Sequence, residues 1–195
     1  MVSDMVVAYK PHRVSTDEFH RMAAAGVFEP DARIELIDGE IVERVSPIHP
    51  PHASTTNKLV VLFARALGDK ASVHCQSPLT LPTDSEPQPD VMIAKPGAMQ
   101  YDLRHPTSRD VLLVVEVADI TFGADRRRKI PLYARAGVPE AWLVDLVRSL
   151  VYVYSEPREG EFTNVRVAHR GETIAPTAFP GVNAAVDAFL PIPTP

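Results

Sequence analysis

Cysteine is almost absent from this chain of 195 residues, which contains only Cys75. One thiol cannot form a disulfide within the chain, and His49, His52 and His74 show no regular zinc-ligand spacing, so a structural zinc site is not expected. No segment approaches the roughly 20 consecutive apolar residues of a membrane helix. The N-terminus also lacks the uninterrupted apolar segment of a signal peptide. We therefore expect a soluble, cytoplasmic protein.

Several motifs of known enzyme classes are missing as well. The nine glycines form neither a phosphate-binding loop nor a dinucleotide-binding fingerprint. Ser46, Ser77 and Ser85 do not lie in the sharp nucleophile elbow that carries the serine of an α/β-hydrolase, so serine hydrolase chemistry has no support. Asp and Glu total 25 against 20 Lys and Arg, which gives a formal net charge of -5. Any binding of nucleic acid must therefore come from a local basic patch.

The composition that remains is typical of a globular protein, with 45% hydrophobic and 23% charged residues. Apolar periodicity predicts the following order: helix 16–25, hairpin 33–45, helix 52–67, strands 71–76, 78–81, 91–94 and 111–117, helix 125–136, strands 141–145, 150–154 and 162–169, and a closing helix 182–190. We find no internal repeat and no domain boundary. The sequence therefore predicts one domain over residues 1–195, with a core at about 15–155 and closing strands and a short helix in 156–190.

Three local signals support this order. Ser15 has the spacing of a capping box with the glutamate three residues later, which marks the start of the first helix. The pair Asp38-Gly39 is preferred in two-residue turns of β-hairpins. Pro131 fits only the first turn of a helix, so the regular part of the helix at 125–136 is expected to begin near Arg128 or Lys129, after a looser turn.

Two acidic residues adjoin the most apolar strands. Residues 111–115 have no polar face, so they predict a strand that is buried on both sides, with Glu116 at its C-terminal end. Asp90 directly precedes the apolar strand 91–94. Neighbouring strands lie about 4.8 Å apart, so the two carboxylates would repel each other unless a cation or a proton lay between them. The pair predicts a metal site for phosphodiester hydrolysis, although either acid alone is more simply the first polar residue where a strand reaches the surface.

Basic residues follow in the predicted helix. Lys129 could hold the attacking water or neutralise negative charge on the phosphorane that forms during hydrolysis. Most exposed helical lysines, however, are simply solvated. The best local patch for nucleic-acid phosphate consists of Lys129 with Arg126, Arg127 and Arg128. Such a basic run is, however, commonly just a solvent-exposed surface.

Two further residues are candidates for the same site. Glu35 could bind a metal ion through water, but alternation along the hairpin more simply places it on the outer face or at the sheet end. His52 could contact phosphate or substrate from the start of the second helix, or it could be a loop histidine.

A resemblance connects these residues. The chain looks like the Uma-two family of putative endonucleases, which belongs to the PD-(D/E)XK superfamily with its restriction-endonuclease-like fold. The match covers about residues 15–155, and the segment Tyr133–Glu140 is its most specific part. The segments that carry it, in this order, are Glu35-Leu36-Ile37-Asp38-Gly39-Glu40, Ser46-Pro47 with His52, Pro89-Asp90-Val91, Val114-Val115-Glu116-Val117, Asp125 with Lys129, and Leu132 to Asp145.

The resemblance implies an α/β (α+β) fold, with a mixed β-sheet flanked by helices and an N-terminal helix and β-hairpin. It also implies a Mg²⁺ (or Mn²⁺) site in which Asp90 and Glu116 bind the metal directly. The backbone carbonyl of Val117 would be a third ligand. Glu35 and His52 fall at positions that the family also uses around its site.

The chain departs from the superfamily pattern after the second acid. The pattern places a lysine two residues after that acid, where this chain has Ala118, and the resemblance implies that Lys129 takes over its role. The family commonly has Leu-Ser-Pro-Ser-Thr after the Val-Glu-Val segment, whereas this chain has Ala118-Asp119-Ile120-Thr121. Asp119 adds negative charge near the expected metal, either as an outer-sphere ligand or as the mark of an altered site.

The sequence therefore predicts a divalent-metal-dependent endonuclease that acts on DNA. Asp90 and Glu116 would hold the metal, and Lys129 would orient the nucleophilic water. Asp119, the acidic net charge and the short basic run favour an alternative, a nuclease-fold protein that binds nucleic acid or a protein partner without cutting. Another metal-assisted hydrolase on the same scaffold is a third possibility. Large apolar side chains in strands 142–145 and 150–154 suggest a homodimer, and no membrane partner is expected.

Overall fold

The structure is a computed structural model, and it describes residues 10–44, 49–97, 101–119, 123 and 125–192. Ser46-Pro47, which carries part of the family resemblance, lies outside the described residues. Ile120 and Thr121, which belong to the departure from the family pattern, also lie outside them.

The N-terminal third contains two helices and a hairpin. They are helix α1 (Thr16–Ala24), strands β1 (Ile34–Ile37) and β2 (Glu40–Glu43), and helix α2 (Pro50–Leu67). The capping box of α1 is confirmed, because the hydroxyl of Ser15 accepts from the Glu18 amide and the Ser15 amide donates to the Glu18 carboxylate. The hairpin turn is also confirmed. Asp38 and Gly39 have φ values of +50° and +72°, the left-handed conformation that a type I′ turn requires at both positions.

A six-stranded mixed sheet forms the centre of the molecule. Its strands, in spatial order, are β3 (Ser72–Cys75), β4 (Val91–Ala94), β5 (Val111–Ala118), β6 (Glu140–Asp145), β7 (Leu150–Arg158) and β8 (Glu161–His169). Strands β5 and β6 are parallel, and all other neighbours in this sheet are antiparallel. A parallel pair needs a crossover connection. This crossover contains a π-helical turn (Asp125–Lys129) and helix α3 (Ile130–Arg135).

Strand β5 is buried on both faces, as predicted from its apolar sequence. Because side chains alternate along a strand, Val115 and Val117 pack on one side with Phe63 of α2. Val114 and Ala118 pack on the other side in the cluster that includes α3 and the end of β1. The helices therefore flank the sheet on both faces, and within the described residues no helix is long and apolar enough to cross a membrane.

The predicted strand at 78–81 is wrong. The amides of Leu79 and Thr80 donate to the carbonyls of two different segments, at Pro87 and Pro106, with N···O distances of 2.9 Å. Proline has no amide hydrogen to return, so neither contact extends into a ladder. Only isolated bridges form there, among them Leu81 with Ser85.

The two later helices are shorter than predicted. The expectation of a looser turn before Pro131 is confirmed, since the π-helical turn precedes α3, whose first residue is Ile130. The predicted closing helix at 182–190 is reduced to α4 (Val186–Phe189). The two residues before it form strand β10 (Ala184–Ala185), which pairs with β9 (Thr173–Ile174), so sheet pairing overrides helix formation at this point.

The packing of α2 on the sheet gives a stability prediction. Phe63 is fully buried, and its ring centroid lies 5.7 Å from that of Trp142 in β6. We expect Phe63→Ala to lower the free energy of unfolding by about 3–5 kcal/mol, because it removes buried apolar contacts and leaves a cavity. Val61, which is 47% exposed on the same helix, provides the matched control. Val61→Ala should change the free energy of unfolding by less than about 0.5 kcal/mol. Urea denaturation measures both, and equal losses would contradict this packing.

Candidate active site

The sheet brings the two predicted acids together. Strands β4 and β5 are antiparallel with Val91 opposite Val115, so Asp90, directly before β4, comes beside Glu116 in β5. Both side chains are fully buried. The simpler interpretation, in which each acid is the first polar residue where a strand reaches the surface, is therefore wrong.

Asp90 is held by three hydrogen bonds. Its Oδ2 accepts from the backbone amide of Val117 at 2.8 Å and lies 3.2 Å from Nε2 of His52, while Nε2 of Gln76 donates to its Oδ1 at 3.3 Å. Burial raises the pKa of Asp90, but the His52 hydrogen bond and charge, the Lys129 charge and the Val117 amide together outweigh burial, so its pKa is lowered. Asp90 is therefore an ionised carboxylate at neutral pH.

Glu116 contacts the side chains of Tyr133 and Lys129. The hydroxyl of Tyr133 in α3 donates to its Oε1 at 2.6 Å, and Nζ of Lys129 lies 3.4 Å from Oε2. Burial raises the pKa of Glu116 to about 8, with nearby carboxylates adding to the shift and Lys129 opposing it. At neutral pH and with no metal ion bound, Glu116 therefore holds a proton.

Lys129 is buried between two carboxylates. It is 5% exposed, and its Nζ donates to Oε1 of Glu35 at 2.9 Å and lies 3.3 Å from Oε1 of Glu116. Burial alone would lower the pKa of Lys129, but the charges of Glu116 and Glu35 raise it, so the ammonium form is maintained. The interpretation of Lys129 as a solvated helical lysine is wrong.

The expectation that Glu35 lies on an outer face is also wrong. Glu35 is 2% exposed, and the backbone amide of Gln88 donates to its Oε1 at 2.7 Å. Alternation along the two strands predicts a hairpin with one free face. Instead, β1 is covered on both sides, because Leu36 exchanges backbone hydrogen bonds with Glu86 and is itself fully buried.

His52 belongs to helix α2 and not to a loop. It is the third residue of the helix, it is 6% exposed, and its Nε2 faces Asp90. Its Nδ1 has no hydrogen-bond partner within the part of the chain that the structure describes.

The three arginines do not enter this buried cluster. All three are exposed in the π-helical turn. Arg128 donates to the Glu40 carboxylate at 3.0 Å, and the guanidinium of Arg126 lies over the ring of Tyr152, 5.5 Å from its centroid. The guanidinium of Arg127 lies against Gly123. Binding of nucleic acid by these arginines stays a prediction.

Sequence reasoning missed several partners of the acids. Tyr133 lies four residues after Lys129, a spacing that places two side chains on one side of a helix and could have indicated it. Arg44 lies at the base of the hairpin, and the charges of Glu116 and Asp90 raise its pKa although burial lowers it. Gln76 and Gln88 reach the acids through long-range contacts that no local pattern signals.

The buried acids offer a candidate site for a magnesium-type ion. The buried acids around Lys129 and Arg44 are Glu35, Asp90, Glu116 and Asp125. Among the described residues these acids outnumber the two cations, so a divalent ion would offset the negative charge of the ionised carboxylates. No group of three or more His, Cys, Asp or Glu residues could hold a metal within the described ranges. Mg²⁺ nevertheless needs only one or two carboxylates, because it retains several water ligands.

Comparisons with known proteins identify the family and the fold. The model of the family Uma2, described as putative restriction endonuclease, matches residues 16–187. The chain belongs to this family. A search of curated proteins found no match.

Among solved structures, one similar chain is a putative nuclease belonging to DUF820 from Anabaena variabilis ATCC 29413, with a TM-score of 0.70 and 15% sequence identity. The match covers 90% of this chain and 97% of that chain. At this identity the likeness shows the fold, which is the restriction-endonuclease-like mixed sheet flanked by helices that the sequence predicted.

The raised pKa of Glu116 gives a prediction for stability without metal. The folded protein binds this proton with a pKa of about 8, and the unfolded chain with the ordinary value of 4.5. Between these pH values the folded state holds one more proton, so the free energy of unfolding falls as pH rises, by on the order of 4 kcal/mol. Glu116→Gln replaces the protonated carboxyl with a neutral amide and should remove this dependence.

Urea denaturation in EDTA between pH 5 and 8.5 measures the effect. Glu161→Gln, at an exposed position of β8, should keep the pH dependence of the unchanged protein. Parallel curves for the unchanged protein and Glu116→Gln would refute the assignment of the proton to Glu116.

Proposed function

We propose that this protein is a divalent-metal-dependent endonuclease that hydrolyses phosphodiester bonds of DNA. The observation that carries the proposal is the buried cluster in which Asp90 and Glu116 adjoin across β4 and β5 and Lys129 contacts Glu116. Membership of the Uma2 family supports a nuclease that acts on nucleic acid.

The metal site would be built from Asp90, Glu116 and the carbonyl of Val117. All three offer oxygen ligands, which Mg²⁺ and Mn²⁺ prefer. The bound ion would polarise the phosphate and lower the pKa of a water molecule, which supplies the nucleophile at neutral pH.

The protein side chains position this chemistry. The ammonium of Lys129 has three N–H donors, of which two face Glu35 and Glu116. The third is available to orient the attacking water or to stabilise charge on the phosphate. Glu35 acts through Lys129 by fixing its position, and His52 acts through Asp90 by holding one of its oxygens. The exposed arginines 126–128 would contact the DNA backbone outside the cluster.

Cleavage assays test the proposal. Asp90→Asn, Glu116→Gln and Lys129→Met should each lower the rate of Mg²⁺-dependent cleavage of DNA by at least about 100-fold, because each removes a group that holds the metal or the developing charge. Glu161→Gln, with the same change of charge at an exposed site, should cut at the rate of the unchanged protein. Circular dichroism and thermal melting of each variant show whether the fold is retained.

Two outcomes would contradict the proposal. Full activity in both the Asp90 and the Glu116 variants would remove the metal site. An unchanged protein that binds DNA or RNA yet cuts neither with Mg²⁺ nor with Mn²⁺ would instead favour a nuclease-fold binding protein.

We also propose that the protein acts as a homodimer, so that two sites can cut two strands. Strand β8 is an edge of the sheet, and Val165 and Val167 on it are 51% and 37% exposed. Light scattering coupled to size exclusion should give twice the mass of one chain, and Val165→Lys should shift the protein towards the monomer because it places charge on this apolar edge. A monomer mass for the unchanged protein at micromolar concentration would rule the dimer out.

A further inference from the structure

We propose that Arg33 and Arg44, at the open end of the β1–β2 hairpin, form a binding subsite for a phosphate of the DNA backbone. The ligand class is a phosphodiester, and the atoms bound are its non-bridging oxygens. The inference rests on the proposed function above, because it assigns this phosphate to the same nucleic acid that the carboxylate cluster would cut.

The hairpin brings the two arginines together. Ile34 and Glu43 are the outermost paired residues of β1 and β2, and the amide of Arg44 donates to the carbonyl of Arg33 at 2.9 Å just beyond them. Residues directly opposite each other in a hairpin project from the same face. Side chains two residues apart on a strand also share a face, so Arg33 lies on the same side as Glu35.

A small polar cavity lies between these side chains. It has a volume of about 30 Å³ and is lined by Arg33, Glu35, Arg44, Gln76 and Gln88. A polar space of this size can admit a water molecule, and therefore also an oxygen atom of similar radius. Two of the side chains that line the cavity form hydrogen bonds with Lys129 and Asp90, which belong to the proposed catalytic site. Glu35 binds Lys129 at 2.9 Å, and Gln76 donates to Asp90 at 3.3 Å.

Arg33 and Arg44 each bring several N–H donors to the lining of this cavity. The side-chain amide of Gln76 donates to Asp90, and that of Gln88 donates to the carbonyl of Ile34 at 3.2 Å. Both amide groups therefore already have acceptors in the protein. A guanidinium group presents several N–H donors in a planar fork that matches the oxygens of a phosphate.

Arg44 is placed to offset repulsion between DNA and the acids. Its guanidinium is coupled through space to Glu116, Asp90, Glu35 and Asp125, yet it forms no ion pair within 4 Å in the described residues. Lys129 is already bound by two carboxylates. A phosphate that approaches the acidic cluster needs nearby positive charge, and Arg44 can supply it without giving up an ion pair with a described residue.

Salt-dependent DNA binding tests the subsite. The experiment uses Glu116→Gln as the background, so that no cleavage occurs, and a fluorescent DNA duplex with Mg²⁺ between 50 and 200 mM KCl. Arg44→Gln and Arg33→Gln should each weaken binding roughly tenfold, as expected for the loss of a hydrogen bond to a charged group. Each should also reduce the slope of log K against log [salt] by about 0.9, the value for one lost phosphate contact.

A conservative variant separates charge from geometry. Arg44→Lys keeps the positive charge but loses the fork, so it should keep the salt slope while binding less tightly than arginine. Arg158→Gln removes an exposed arginine whose partner is Glu156 on the same strand, and it should change neither quantity. Thermal melting of every variant checks the fold.

The outcomes distinguish this subsite from a purely structural role. If Arg44→Gln lowers the melting temperature but keeps the affinity and salt slope of the background protein well below that temperature, Arg44 only balances the buried acids and the inference is wrong. The inference also fails if both Gln variants behave as Arg158→Gln does.

The outcomes also separate the subsite from the proposed function. If the arginine variants reduce the salt slope but the unchanged protein does not cleave DNA, the subsite is retained and the nuclease function is rejected. If the unchanged protein cleaves DNA but the arginine variants leave the salt slope unchanged, the nuclease function is retained and the subsite is rejected.

Discussion

An excess of buried negative charge over buried positive charge is the constraint on which the site depends. In the part of the chain that the structure describes, four carboxylates lie around one buried ammonium, that of Lys129, and a half-buried guanidinium, that of Arg44. An uncompensated charge away from water is costly, so each acid needs a hydrogen bond, a cation or a proton. The amides of Val117 and Gln88 and the hydroxyl of Tyr133 meet part of this need. Burial raises the pKa of Glu116, so this acid meets the rest of the need by holding a proton.

The fold delivers these groups from parts of the chain that are distant in sequence. The antiparallel pairing of β4 and β5 places Asp90 beside Glu116, and the hairpin places Glu35 against Lys129 from the opposite side. The crossover between the parallel strands β5 and β6 supplies Lys129 from a π-helical turn and Tyr133 from α3. Such turns are frequent at functional sites because they re-aim side chains within a helix. The crossover that the parallel pair β5 and β6 requires therefore determines where the ammonium group of Lys129 lies in the cluster.

Local chemistry explains which parts of this arrangement the sequence could predict. The capping box at Ser15, the turn at Asp38-Gly39 and the apolar strand before Glu116 are each decided by residues close in sequence, and all three are confirmed. The two acids were found because they adjoin such strands. The burial of Glu35 could not be predicted, because it depends on the segment around Glu86 that covers the hairpin from about 50 residues away. The contacts of Tyr133, Gln76 and Gln88 with the acids likewise depend on tertiary packing.

The buried charge also links metal and proton under the proposed function. A metal ion at Asp90 and Glu116 would take the place of the proton on Glu116, because both neutralise the same carboxylate, so metal binding would release that proton. The two states differ in what they offer to DNA. With a proton the cluster keeps its remaining negative charges, which repel phosphate, whereas a divalent ion makes its surroundings more positive. Arg33 and Arg44 would then hold a phosphate at the edge of the cluster whose charge the metal has offset. The same excess of acid would therefore exclude DNA from the metal-free protein and favour it in the metal-bound one.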